Sequence, residues 1–477
     1  MNVPSWEFLG FATLVALAIN VSAAARWRRA ILLVANIAFI LTFTRSPLQL
    51  APFATLLLAG FAAMKLLERR KNAIAFPLVV GAFVVAFFWL KRYTFVPAGL
   101  LLPFPYLSVG LSYVFFRVLS LVIDAYQNAL PAAIGPLTYV NYTVNFTSFV
   151  SGPIQSIRDY RTSESERPPA LDASVAGRAI ERIALGFFKV SVLSPLAAAA
   201  QAACVAHGTA SPPAPRIAFA ALAVGLFPIY LYVNFSGYMD VVIGVARFLR
   251  LDLPENFANP FAAQGFIDFW SRWHITLSNW FKTYVFSPLL IALMRRFTSP
   301  SIEPLLGVFA FFVTFFLVGV WHGQTSEFIF YGALQGLGVS GNKLFSIVMT
   351  RRLGRRGYAA LRAHPLWVPL SRGLTIGYFS LTLLWFWSTW PQLARASSSL
   401  GIAGTFAAAL LVVAGFTLVL CALARANEAL QPLLTTHGSR VAAPYVRVAW
   451  ATALVVITVS VTAVLNAPAP HIVYKAF

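Results

Sequence analysis

Long apolar runs recur through this chain at about residues 7–25, 30–44, 50–67, 74–90, 106–126, 183–206, 216–249, 302–320, 326–349, 373–390, 401–424 and 444–465, each closed by charge, proline or glycine. A spanning helix uses roughly 20 apolar residues, so about a dozen spans consume half of the 477 residues. Charged residues make up 11% of the chain, against about a quarter in an average soluble domain. Soluble enzymes, disordered chains, collagen and disulfide scaffolds are excluded. The expected fold is an all-α integral membrane protein of about twelve spanning helices, with re-entrant and amphipathic segments around a central polar funnel. A single polytopic domain covers 1–477, and no stretch is polar enough for a second, soluble one.

The formal charge is +21, from 36 Lys+Arg and 15 Asp+Glu. The basic residues form short runs between apolar stretches and no basic stripe on a polar domain, so they read as positive-inside signals and anionic-lipid contacts, with no nucleic acid as partner. Placing Arg26, Arg28 and Arg29 in the cytoplasm puts the N-terminus outside and returns Lys65 to Lys71 to the inside; Lys91 and Arg92 break the pattern. Glu7, with no basic region ahead of it, marks the first run as retained and not a cleaved signal. Cys204 and Cys421 lie in separate apolar stretches without metal-ligand spacing, so neither a disulfide nor a metal site is expected.

Three stretches carry polar groups that lipid would reject. In 139–158, Asn141, Asn145, Ser148, Ser151 and Gln155 are mixed with aromatics around Pro153. This predicts a re-entrant segment packed in protein or lining a wet cavity, the alternative being an interfacial linker. The second stretch opens with NFSGYMD, which puts Asn234 and Asp240 at membrane depth. An intramembrane acid is a functional candidate, with a structural ion pair to a neighbouring arginine as the equal alternative. The irregular LPENFANPF follows, containing Asn256, Pro254 and Pro260.

Beyond it, 268–284 has helical spacing, with Trp270, Trp273, Leu277, Trp280 and Tyr284 on one face and Ser271, His274, Ser278 and Lys282 on another. One amphipathic helix is expected there. The third stretch is Gly319-Val320-Trp321-His322-Gly323-Gln324, closing a phenylalanine-rich run. An ionisable imidazole at that depth suits proton transfer near neutral pH, with a capping role at the interface as the plainer reading. The chain has no GxSxG elbow, HExxH, Walker loop or GxGxxG.

At SGPI (151–154), NFSGYMDVVIGVARFLRLDLPENFANPF (234–261), DFWSRWHITLSNWFKTYVFSPL (268–289) and GVWHG (319–323) the chain resembles the membrane-bound O-acyltransferase family. The branch it looks like is that of alginate O-acetylation and teichoic-acid D-alanylation, and the resemblance covers roughly 105–345. It departs from that branch at Gln335, where a histidine is usual, and at Lys282-Thr283-Tyr284, where Arg-Asp-Tyr is usual.

The resemblance implies a multi-pass protein of the bacterial cytoplasmic membrane, with His322 as the catalytic histidine and His274 as the second histidine of the same site. Trp321, Gly323, Asp240, Asn234, Asn256, Ser271 and Ser278 are candidates for lining the funnel. Oxyanion donors are open between Trp321, the Gly323 amide and a protonated His274. No cofactor is expected to be bound. The donor implied is a cytoplasmic acyl thioester, acetyl-coenzyme A or an acyl carrier protein, and the acceptor an extracellular polysaccharide, with a periplasmic or membrane partner acyltransferase. The alternatives are D-alanyl transfer to a cell-wall polymer, a proton-coupled transporter or flippase built on His322, His274 and Asp240, and a catalytically inert scaffold.

Overall fold

The computed structural model describes residues 1–44, 46–164, 168–441 and 444–465, and each of the twelve apolar runs is centred on a helix. Among the described residues there is no β-strand, only one antiparallel bridge between Phe257 and Trp273. Six helical stretches are long and apolar enough to cross a membrane: Pro47–Arg69, Ala173–Ala210, Pro213–Phe248, Glu303–His322, Trp390–Leu430 and Pro444–Val464. Trp6–Asn20 and Ala75–Leu90 are apolar but shorter. The remaining runs give Ala25–Leu41, Leu111–Gln127, Ser326–Ala363 and Trp367–Thr382. Three of these have 16 or 17 residues, and the fourth includes Asn342 and Lys343, which is why a hydropathy count of twelve exceeds a count by helix length and composition.

Among the described residues the chain divides into two compact units, one of 1–190, 235–255 and 454–465, the other of 191–234 and 256–453. At the centre of the first is Leu111–Gln127, buried around almost its whole circumference. Its Arg117 is also buried and donates to the carbonyl oxygen of Thr143 (3.1 Å) and to the carbonyl and hydroxyl oxygens of Ser148 (2.8 and 2.7 Å). Those acceptors lie where the 139–158 segment leaves regular structure. The short helix Pro136–Thr143 ends, 144–156 is irregular and almost wholly buried, and Ile157–Glu164 begins. Asn36 adds a bond from its side-chain nitrogen to Asn141 and accepts the Phe146 N–H. A non-helical buried segment persists because side chains satisfy the backbone groups that it frees.

In the second unit, Glu303–His322 and Ser326–Ala363 pack backbone to backbone. A β-carbon on Gly319 would fall 2.1 Å from the Gly332 α-carbon, and one on Gly332 would fall 2.5 Å from the Phe316 carbonyl oxygen. Small residues at such a crossing let two helices approach without a side chain between them. On another side of the unit, Phe269 and Trp273 stack at 5.5 Å and both pack on Phe379. The site is assembled between these two features.

Candidate active site

The single amphipathic helix expected over 268–284 is interrupted. Phe266–Trp270 ends in a turn, Ile275–Phe281 starts afresh, and 282–286 widens to a π turn. His274 stands at the break with φ 46° and ψ 51°, left-handed values uncommon for a residue with a side chain. The cause is a tertiary pairing. The Ala258 N–H donates to the Arg272 carbonyl and the Ile275 N–H to the Asn256 carbonyl, both at 3.0 Å, flanking the Phe257–Trp273 bridge. The backbone leaves the helix to make these bonds, and the His274 side chain turns inward, fully buried. Its expected polar-face companions stay behind: Ser271 is exposed and donates to Asp268 O, while Ser278 bonds Trp273 O at 3.5 Å.

Asn256, equally buried, fixes the chemistry of His274. Its Oδ1 accepts the Thr276 N–H (3.1 Å) and the Thr276 hydroxyl (2.9 Å), and lies 3.3 Å from His274 Nδ1. A backbone N–H can only donate, so the atom facing Thr276 is the carboxamide oxygen. His274 Nδ1 therefore carries the proton, and the lone pair sits on Nε2. Burial pushes the imidazole pKa down to about 3. His274 is thus neutral in the physiological range, which removes the charged His274 from the three open oxyanion donors. Thr276 was not among the sequence candidates; its one signal is a hydroxyl two residues after a buried histidine.

His322 is the last residue of Glu303–His322 and is fully buried. Its ring lies 4.8 Å from Trp321, 5.4 Å from Phe386 and 6.0 Å from Tyr331, centroid to centroid, with steep interplanar angles of 60–75°. Trp321 also meets His274 edge to face at 6.5 Å. One indole therefore touches both imidazoles. Gly323 ends the helix in extended backbone, and a β-carbon there would overlap the Phe328 ring at 2.0–2.3 Å, so its place in the motif is first a packing requirement.

The other candidates are held elsewhere. Asn234 donates to the Ser194 hydroxyl (3.1 Å). Asp240 belongs to the first unit, where it accepts from Arg182 Nε (3.0 Å) and Lys189 Nζ (2.7 Å), and Arg182 also pairs with Glu255. Of its two sequence readings, the ion pair describes these contacts. Gln335 is buried and donates to the Thr382 hydroxyl at 2.8 Å.

The sequence pattern that defines the membrane-bound O-acyltransferase family matches residues 83–381, a stretch that holds both histidines, Asn256 and Trp321. The chain belongs to this family. Among curated relatives, a probable alginate O-acetylase AlgI of Pseudomonas fluorescens is 29% identical over 231 residues, 48% of this chain and 44% of that protein. A teichoic acid D-alanyltransferase of Bacillus subtilis is 25% identical over 288 residues, 58% of this chain and 69% of that protein. A peptidoglycan O-acetyltransferase of Helicobacter pylori is 37% identical over 116 residues, 24% of this chain and 20% of that protein. The match therefore spans less than half the length of the alginate relative.

Proposed function

We propose that this family member is an O-acyltransferase that passes an acetyl group from a cytoplasmic thioester through a polar funnel in the bacterial inner membrane, for O-acylation of an extracellular polysaccharide. The observation that carries the reading is the shared indole: two buried imidazoles from separate elements flank Trp321 in one aromatic enclosure. Three relatives are each named for acyl transfer to a different polymer, alginate, teichoic acid or peptidoglycan, which supports the chemistry more than any one acceptor.

In this reading His322 is the general base. It takes the proton of the attacking hydroxyl as the new C–O bond forms, and returns it to the departing thiolate as the C–S bond breaks. General-base catalysis of this kind is worth roughly 10²–10⁴-fold in rate. His274, neutral and held by Asn256, stands beside the same indole. The donor, acetyl-coenzyme A or an acyl carrier protein, supplies the activated acyl group, and no resident cofactor is required. A partner acyltransferase in the membrane or periplasm completes delivery to the polymer. D-alanyl transfer is the second reading, favoured by the Bacillus relative, of which the match covers the larger share.

The test compares wild type with His322→Ala in cells, measuring acetyl and D-alanyl esters on the exported polymer against membrane levels of the protein. The expected result is an abundant variant and a polymer without acetyl. Normal acylation by an abundant variant refutes the assignment of His322. Loss of D-alanyl esters alone selects the second reading, and loss of solute export with normal acylation selects a transporter.

A further inference from the structure

We propose that the side-chain nitrogen of Asn256 is an oxyanion donor of this site, giving an N–H to the thioester carbonyl oxygen as that carbon becomes tetrahedral. The inference rests on the acyl-transfer reading and adds a residue to it. A carboxamide has one acceptor oxygen and two N–H donors on its nitrogen. In Asn256 the oxygen is committed to the Thr276 N–H, the Thr276 hydroxyl and the Nδ1 side of His274. With the oxygen pinned, the planar amide cannot flip, and Nδ2 is fixed in direction.

That nitrogen is buried and meets no hydrogen-bond acceptor among the described residues. Leaving a buried donor unsatisfied costs about 1–3 kcal/mol, and native structures keep such groups mainly where a ligand or water completes them. Its surroundings name the ligand class. Nδ2 shares an amide plane with the oxygen that bonds His274, whose ring touches Trp321, and Trp321 in turn touches His322. A neutral donor suits an oxygen that is weakly basic in the thioester and takes up negative charge during attack. Because the amide is already oriented, it gains most when that charge appears.

The step balances as follows. The acceptor hydroxyl loses its proton to His322 while its oxygen bonds the carbonyl carbon, and the C=O electron pair moves onto the oxygen that faces Asn256 Nδ2. Collapse restores the carbonyl and expels the thiolate, which takes the proton back from His322.

The test uses permeabilised membranes of the host, which hold the full chain together with its partner acyltransferase, with acetyl-coenzyme A and in parallel an acetylated acyl carrier protein as donors, and deacetylated exopolysaccharide of the host as acceptor. Asn256→Asp keeps an acceptor oxygen for Thr276 and His274 but loses the N–H. A donor role predicts a kcat lower by roughly 10²–10³-fold with KM within twofold and a higher carbonyl stretch of bound acetyl-coenzyme A, whereas a role confined to holding His274 leaves that stretch unchanged. Activity within threefold of wild type overturns the inference and leaves the nitrogen bound to water alone. If Asn256→Asp does not accumulate, Asn256→Ala is compared by isotope-edited infrared spectroscopy of bound [1-¹³C]acetyl-coenzyme A. The carbonyl stretch should rise in the variant, and an unchanged frequency overturns the inference. A wild-type chain that neither turns over nor binds either thioester overturns the transferase reading itself, whereas an active wild type with an equally active Asn256→Asp overturns this inference alone.

Discussion

Thr276 gives both its backbone N–H and its hydroxyl to the side-chain oxygen of Asn256, at 3.1 and 2.9 Å, across 20 residues of sequence. This pair of hydrogen bonds ties the irregular 256–258 stretch to the start of Ile275–Phe281, directly after the left-handed turn at His274. Thr276→Val keeps the shape and the backbone donor but removes the hydroxyl. Stability should fall by about 1 kcal/mol, the usual net worth of one such bond, with activity reduced less than by His274→Ala. Thermal unfolding in nanodiscs and acetyl transfer per molecule check both parts.

Gly323→Ala should be more damaging than a one-carbon change ordinarily is. The new methyl group would collide with the Phe328 ring, and overpacking of this sort costs about 1–3 kcal/mol. Phe328 also packs on Phe386 at 5.4 Å, one of the rings around His322. Pairing Gly323→Ala with Phe328→Leu should recover much of the lost activity, and a double variant no better than the single one would argue that the Gly323 backbone itself contacts the substrate.

Asp240→Asn separates structure from proton relay. The carboxylate neutralises Lys189 and one side of Arg182 in a partly buried cluster, and removing one member of such a network leaves charge uncompensated. The expected outcome is less protein in the membrane with near-normal turnover for each molecule that remains. Full protein levels with turnover abolished would restore Asp240 to the chemistry.

The depressed pKa of His274 has a definite pH consequence. The folded protein holds this imidazole neutral down to about pH 3, whereas in an unfolded chain it binds a proton below roughly pH 6.5. Between those values the unfolded state binds more protons, so stability rises with pH, and the contribution of this group is lost progressively as pH falls below about 6.5. His274→Gln should flatten the fall in melting temperature between pH 7.5 and 5, measured against wild type in the same nanodiscs; equal slopes would mean that the ring is not held neutral by burial.

Much of this architecture is legible in the sequence. The apolar runs found their helices because burial in lipid leaves the backbone no other partner than itself, and the GVWHG and RWH segments marked both imidazoles. The break at His274 was not legible. Its neighbours repeat at three and four residues as a helix would, and only the bonds from 258 to 272 and from 275 to 256 override that local preference. The two readings of Asp240 were likewise inseparable in sequence, because the deciding partners, Arg182 and Lys189, lie 58 and 51 residues away. Asn256 was visible as a polar residue in an odd place, but its oxygen and nitrogen acquire different tasks only through Thr276.

The contact of Gly319 with Gly332 bears on how the buried ring of His322 meets a changing membrane. Bilayers that thicken or thin with temperature and lipid supply make helices tilt to match. Two helices in backbone contact tilt as one body, so the height of His322 relative to Tyr331, on the facing helix, stays the same while the surrounding spans adjust. A cell remodelling its fatty acids would thus carry this stretch of the protein through unaltered, with adaptation left to the lipid-facing residues around it.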